Sequence, residues 1–267
     1  MLIPPPSRRE IHVTTIDDIT RDEAVIDVSD ASTDQIRPGE NPNELLVFDH
    51  GFVRLDEAMA SDLSVVNSAR VSFAVRKEDM DDRDKGLIRF LMRDRHGTPF
   101  EHNSFRFHIR TPIFVAREWF RHRVGSFNEE SARYHKLNND FYIPAPEAVR
   151  SQAGKPGAYF FEPVGEELAD ETRATFARVY AELFEEYESL LEKGVAKELA
   201  RALLPFGIYT QFYWTLNARS LMNFLSLRNA ETAQYEIRVY AQAIERFFAE
   251  QMPITHECFV EFGRRSP

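Results

Sequence analysis

Residues 104–110, SFRFHIR, alternate apolar and polar side chains without a break. On an extended strand successive side chains point to opposite faces, so Phe105, Phe107 and Ile109 share one face and Arg106, His108 and Arg110 the other. The chain therefore holds a half-buried strand whose apolar face needs a cover. Two further segments read as strands. LLVFDHGFVRL sets two apolar runs about the turn Asp49-His50-Gly51, a hairpin pattern, and IYTQFYWTL (208–216) is rich in β-branched and aromatic residues.

The remaining periodicity is helical. Ser61 is placed to cap a helix through SDLSVVNSAR, and Leu87, Ile88, Leu91 and Met92 share a helical face that Gly97 is expected to end. In TPIFVAREWFRHR, Thr111 at the cap and Pro112 at the first position predict a helix reaching Arg121, with Arg117 and Arg121 on one face and Gly125 as terminator. Leu168, Phe176, Val179, Leu183, Tyr187 and Leu190 mark a long helix over 166–192, ended by Gly194. A short helix stops before Pro205, Asn217 caps another through Arg228, and a last long helix stops at Pro253. Residues 141–165, rich in Pro and Gly, read as an irregular connection. Ser126-Phe-Asn-Glu129 has the pattern of a capping box, which predicts a helix start. The sum is an α+β fold, a small antiparallel sheet flanked by helices. Residues 1–45 read as an N-terminal extension, 46–262 as one catalytic-sized domain and 263–267 as a tail.

Charge narrows the function. The net charge of −10 over 267 residues disfavours a general nucleic-acid or anionic-membrane binder, so positive charge here is local and suits a small target. One cysteine excludes an internal disulfide framework and a cysteine-rich zinc site, and fits a reducing compartment. No apolar run is long enough to span a bilayer, and MLIPPPSRREIHV lacks the apolar core of a signal peptide, which together read as cytoplasmic.

Positive charge concentrates in RHRVGSFNEESARY (121–134), where every cation is Arg. Arg implies planar, bidentate partners. Arg201 and Arg228 lie in otherwise apolar settings, where a cation needs a carboxylate, a phosphate or another acceptor. Two readings stand: five arginines paired with the chain's own acids, or a site for phosphorylated ligands. His122, flanked by cations, is expected to be neutral. There is no metal-ligand spacing, no Gly-x-Ser-x-Gly elbow and no phosphate-binding glycine loop, so any nucleotide is held by side chains and helix ends.

The pattern Arg121-His122-Arg123, seven residues, then Ser131 resembles the signature of the flavin-dependent thymidylate synthases. Seven identities, Arg121, His122, Arg123, Asn128, Glu129, Ser131 and Arg133, arise by chance on the order of 10⁻⁹ per start position. The resemblance extends through ARVSF (69–73), HGTPFEH (96–102), PIFVAREWF (112–120), FYIP (141–144) and FYWTLNARSLMNFLSLR (212–228). It implies reductive methylation of dUMP to dTMP, with methylenetetrahydrofolate as carbon donor, FAD as hydride carrier and NADPH as reductant, in a homotetramer with shared active sites. It places Ser72, Thr98, Arg121, His122, Arg123, Glu129, Asn217, Arg219 and Asn223 around FAD. Around dUMP it places Glu118, Arg121, Glu129, Ser131, Arg133, Arg201 and Arg228, with no metal. Arg228 matches the family's activating arginine, which favours the ionised uracil N3; a guanidinium can do this by its field alone.

Two positions depart from the pattern. Glu118 stands where many relatives carry Gln, and a carboxylate there repels a uracil carbonyl unless it is protonated or turned toward Arg117 or His122. Gly97 stands where some relatives have a bulkier residue. Cys258, in THECFVE, has no neighbour that would activate a thiolate and reads as structural.

Overall fold

A computed structural model describes residues 35–155 and 158–267. Its frame is a six-stranded, wholly antiparallel sheet: β1 (Ile36–Pro38), β2 (Glu44–Val47), β3 (Gly51–Met59), β4 (Ser104–Pro112), β8 (Tyr209–Asn217) and β5 (Ser126–Glu129), in that spatial order. β4 is the strand read from its alternation, and it pairs with β8 over its full length, from Ser104 opposite Asn217 to Pro112 opposite Tyr209. Phe105, Phe107 and Ile109 are fully buried, as expected. The opposite face keeps its charges: Arg106 pairs with Asp56, Arg110 with Asp140, and His108 bonds Gln211 and stacks on Tyr213 at 4.7 Å.

Nine helices are present among the described residues: α1 (Asp62–Arg70), α2 (Asp82–Arg93), α3 (Thr98–Glu101), α4 (Ile113–Trp119), α5 (Glu166–Glu192), α6 (Lys197–Ala200), α7 (Ala218–Arg228), α8 (Tyr235–Gln251) and α9 (Pro253–Glu261). Helix α8 covers the apolar face of the sheet. Phe247 and Phe248 meet Phe107 and Phe105 at 6.3 and 6.1 Å, and the Tyr240 hydroxyl donates to the Arg110 carbonyl at 2.8 Å. A helix buried nearly all round, as this one is, belongs in a core rather than at a surface. A smaller second core gathers Phe141, Phe184, Tyr187 and Ile208 under α5.

Several boundaries differ from expectation for identifiable reasons. β4 continues through Thr111 and Pro112, so α4 starts at Ile113; its first amide groups donate to the carbonyls of Ile208 and Phe206 at 2.9 and 3.0 Å, which replaces a side-chain cap. α4 ends at Trp119, and i→i+3 bonds from Arg121 and His122 tighten the chain into a turn, so Arg121 is not helical. The capping-box stretch is the edge strand β5, because β8 offers it a full set of backbone partners. β6 (Arg150–Lys155) and β7 (Ala158–Pro163) pair antiparallel, in place of the expected irregular connection. α2 stops before Gly97: Arg95 adopts φ 60° and the His96 amide bonds the Leu91 carbonyl, a Schellman close. Pro253 ends α8 and also opens α9, in the first-turn position where its missing N–H costs nothing.

The expected domain limits shift too. Ile36 pairs with Val47, so residues 36–45 belong to the sheet and not to an extension; the earlier part of that expected extension lies outside the described residues. The last five residues fold back onto α7 and α8.

Candidate active site

Strand β8 hands directly into α7 at Asn217, whose side chain accepts from the Ser220 amide at 2.8 Å and so caps the helix. At the far end of α7, Arg228 reaches α4 and its following turn. Its Nη1 donates to Glu118 Oε2 at 2.8 Å, its Nη2 to the Glu118 carbonyl at 3.2 Å and its Nε to His122 Nε2 at 2.9 Å. Only the neutral imidazole can accept that last bond, which fixes the proton on Nδ1. Burial, reinforced by Arg228, lowers His122 to about 4. The direction agrees with the expected neutrality, with desolvation as its first cause and Arg228, rather than the flanking arginines, as its second. Burial pushes the Glu118 carboxyl up, the neighbouring Arg228 pulls it down, and Glu236 adds to the rise. Glu118 turns toward Arg228, whereas Arg117 lies over the ring of Phe206.

A cleft of about 940 Å³ opens beside this cluster, and its walls carry Arg121, His122, Arg123, Asn217, Arg219, Asn223 and Arg228. Six residues expected around FAD therefore do meet on one surface. The cleft also brings in Arg95, Glu101, Trp214 and the Ser266–Pro267 segment, none of which the sequence singled out. Arg95 directly precedes HGTPFEH, Glu101 lies within it and Trp214 sits in the aromatic strand, so some signal existed for those three; the terminal segment offered none. The fit to a large anionic cofactor is good. Arg121 and Arg123 have no ion-pair partner among the described residues, and the buried Trp214 Nε1 on the wall lacks a hydrogen bond. Of the five arginines weighed in the sequence, two pair with carboxylates, Arg228 with Glu118 and Arg133 with Glu198, and three have no ion-pair partner among the described residues.

The other expected residues gather elsewhere. A second hollow of about 280 Å³ holds Glu129 and Arg201. Thr210 Oγ1 donates to Glu129 at 2.8 Å; burial raises this carboxyl, the Thr210 bond opposing. Arg133 bonds the Glu198 side chain at 3.2 Å and Arg201 bonds its carbonyl at 3.4 Å, so these two arginines meet at α6. Ser131 starts the same loop, its hydroxyl 3.4 Å from the Arg133 amide. Along β8 the first cleft is lined by Trp214 and Asn217 and the second hollow by Tyr209 and Thr210. Ser72 lies exposed in the 3₁₀ turn Val71–Phe73, beside a third concave surface lined by Asn67, Val71, Ala74 and His102, and Thr98 is exposed at the start of α3. Arg121, Arg123 and Arg228 thus line the first cleft and Arg201 the second.

The family model described as thymidylate synthase complementing protein matches residues 54–254. The chain is 47% identical over 217 residues to a flavin-dependent thymidylate synthase of Thermotoga neapolitana, covering 81% of this chain and 94% of that protein. It is 46% identical over 222 residues to one of Thermus thermophilus, covering 83% and 80%. The chain belongs to the flavin-dependent thymidylate synthases. Among solved structures it is similar to the UMP/dUMP methylase PolB of Streptomyces cacaoi bound with 5-Br dUMP, with TM-score 0.77, 44% identity and coverage of 82% of this chain and 98% of that one. The same methylase bound with 5-Br UMP superposes with TM-score 0.76.

Proposed function

We propose that the protein reductively methylates C5 of dUMP to give dTMP, taking the carbon from methylenetetrahydrofolate, with FAD in the 940 Å³ cleft and NADPH as reductant. The observation that carries this reading is the guanidinium of Arg228, held in a fork by Glu118 and neutral His122 on the wall of a cleft with two unpaired arginines. Arg121, Arg123 and Arg219 offer charge to the pyrophosphate of the cofactor, and Asn217 and Asn223 offer hydrogen bonds. FAD, when bound, supplies hydride transfer. The protein orients the pyrimidine and, through Arg228, stabilises negative charge on it as N3 ionises, which raises electron density at C5. Glu118 and His122 hold that guanidinium in place, and its position between them keeps Glu118 from facing a uracil carbonyl as a free anion.

Ser131, Arg133, Arg201 and Glu129 form the other half of the dUMP site. That Arg201 and Glu129 line a different hollow from Arg228 supports a site assembled between subunits of a homotetramer, the phosphate gripped by one chain and the base by another. Exposed apolar residues beside both halves support the same assembly: Val124 and Leu227 near the first, Tyr134, Leu199 and Phe206 near the second. Ser72 and Thr98 would then serve the cofactor from a neighbouring chain. No helix among the described residues is long and apolar enough to cross a membrane, and we place the enzyme in the cytoplasm.

The purified protein should be yellow, with flavin absorbance that bleaches when NADPH is added anaerobically, and should release tritium from 5-tritiated dUMP. Colourless protein that cannot be reconstituted with FAD would sink the reading. Because the structural neighbour is described as a UMP/dUMP methylase, the assay is run with UMP alongside; turnover of UMP in preference to dUMP would reassign the substrate.

A further inference from the structure

The segment Gly263–Pro267, outside the span matched by the family model, is tied to α8 at its start and to the cleft at its end. At its start Arg264 takes φ 54°, a left-handed conformation uncommon outside glycine, and its Nη1 donates to Glu245 Oε2 at 2.8 Å. Glu245 is buried in α8. It also accepts from His256 Nε2 at 2.8 Å and from the side chain of Asn229, the residue that follows Arg228. Further along, Ser266 Oγ donates to the Arg219 carbonyl at 2.9 Å, Arg219 Nε donates to the Pro267 carbonyl at 2.7 Å, and Arg95 reaches the Ser266 carbonyl at 3.3 Å. Two further neighbours bound the Arg219 guanidinium, whose side chain keeps 46% of its surface exposed toward the cleft. Nη1 bonds Glu101, and Gly97 lies so close that a Cβ there would stand 2.5 Å from Arg219 Nε and 2.7 Å from Cζ. A bulkier residue at 97 therefore excludes this pose.

We infer that Gly263–Pro267 is a working wall of the cofactor cleft, anchored by Arg264 on Glu245, and that with Gly97 and Glu101 it positions Arg219 for an anionic dinucleotide. The inference rests on the reading that Arg219 binds FAD. Arg264, Glu245 and Gly97 act as positioning residues, since each works through Arg219 or the segment that holds it. A flexible arginine on a cleft wall loses rotamer freedom when it grips a ligand; one already fixed by three neighbours loses less, and its ligand binds more tightly.

The test is FAD titration of flavin-stripped protein, followed by quenching of flavin fluorescence. Arg264→Ala should raise the dissociation constant roughly tenfold, the scale of one lost charge-assisted contact. Arg264→Lys should restore part of the loss, and Gly97→Ala, which displaces Arg219 from the opposite side, should weaken binding comparably. In an Arg219→Ala background Arg264→Ala should add nothing, whereas a merely structural role for the segment would still add its own penalty. Should Arg264→Ala fail to fold, Ser266→Ala and Gly97→Ala carry the same test. Wild-type affinity in Arg264→Ala or in both of the other variants overturns the inference while leaving the flavin function intact. A wild-type chain that takes up no FAD overturns both.

Discussion

At Arg228 a single guanidinium is shared between a carboxylate, a backbone carbonyl and an imidazole. If its task is to stabilise charge on the pyrimidine, Arg228→Ala should leave FAD bound, as judged by the flavin spectrum, and slow tritium release by on the order of 10² or more. Arg228→Lys should recover only part, because an ammonium cannot reproduce the planar fork across Glu118 and His122. His122 gives a pH prediction at the same scale. Its folded value, lowered to about 4, lies below the ordinary 6.5, so the neutral ring is favoured by folding. The stability it contributes is therefore present above about pH 6.5 and is lost as pH falls toward 4, where the ring gains a proton and can no longer accept from Arg228. Nitrogen-15 NMR of the imidazole should show Nε2 unprotonated down to about pH 4. Titration of this ring near its ordinary value would remove the hydrogen bond to Arg228 from the account.

Elements placed by strong local patterns were legible in the sequence. The alternation of β4, the hairpin about Asp49-His50-Gly51, the long helix ended by Gly194 at φ 85° and the Asn217 cap are all found. What was not legible depended on partners distant in sequence. Ser126–Glu129 satisfies a capping box locally, yet strand pairing with β8 supplies more hydrogen bonds than a cap could. Asn217 joins element and site, since it caps α7 and lines the cleft. Asn217→Ala should cost about 1 kcal/mol in urea unfolding through loss of the cap. Asn217→Asp, which can still cap, should keep stability near wild type while weakening FAD binding, because it sets a negative charge in a cleft meant for an anion. Equal FAD affinity in the Asp variant would confine Asn217 to its structural role.

For the whole molecule the decisive feature is the division of the arginines between two hollows along β8. If each dUMP takes Arg228 from one chain and Arg133 from another, the two single variants Arg228→Ala and Arg133→Ala should each be nearly inactive alone. Co-refolded or subunit-exchanged mixtures should regain tritium release, since mixed oligomers contain sites with both arginines intact. No recovery from a mixture shown by native mass spectrometry to contain both variants would place both residues in one chain's site. The sequence by itself determined the elements with strong local patterns, the cationic character of the site and the family, because each is written in local spacing and residue identity. Tertiary structure alone decided that Glu118 pairs with Arg228, that Gly97 makes room for Arg219, and that the arginines fall into two groups. Those outcomes depend on which side chains the packing of α4, α7, α8 and the sheet brings within hydrogen-bond reach, a distance that spacing along the chain does not encode.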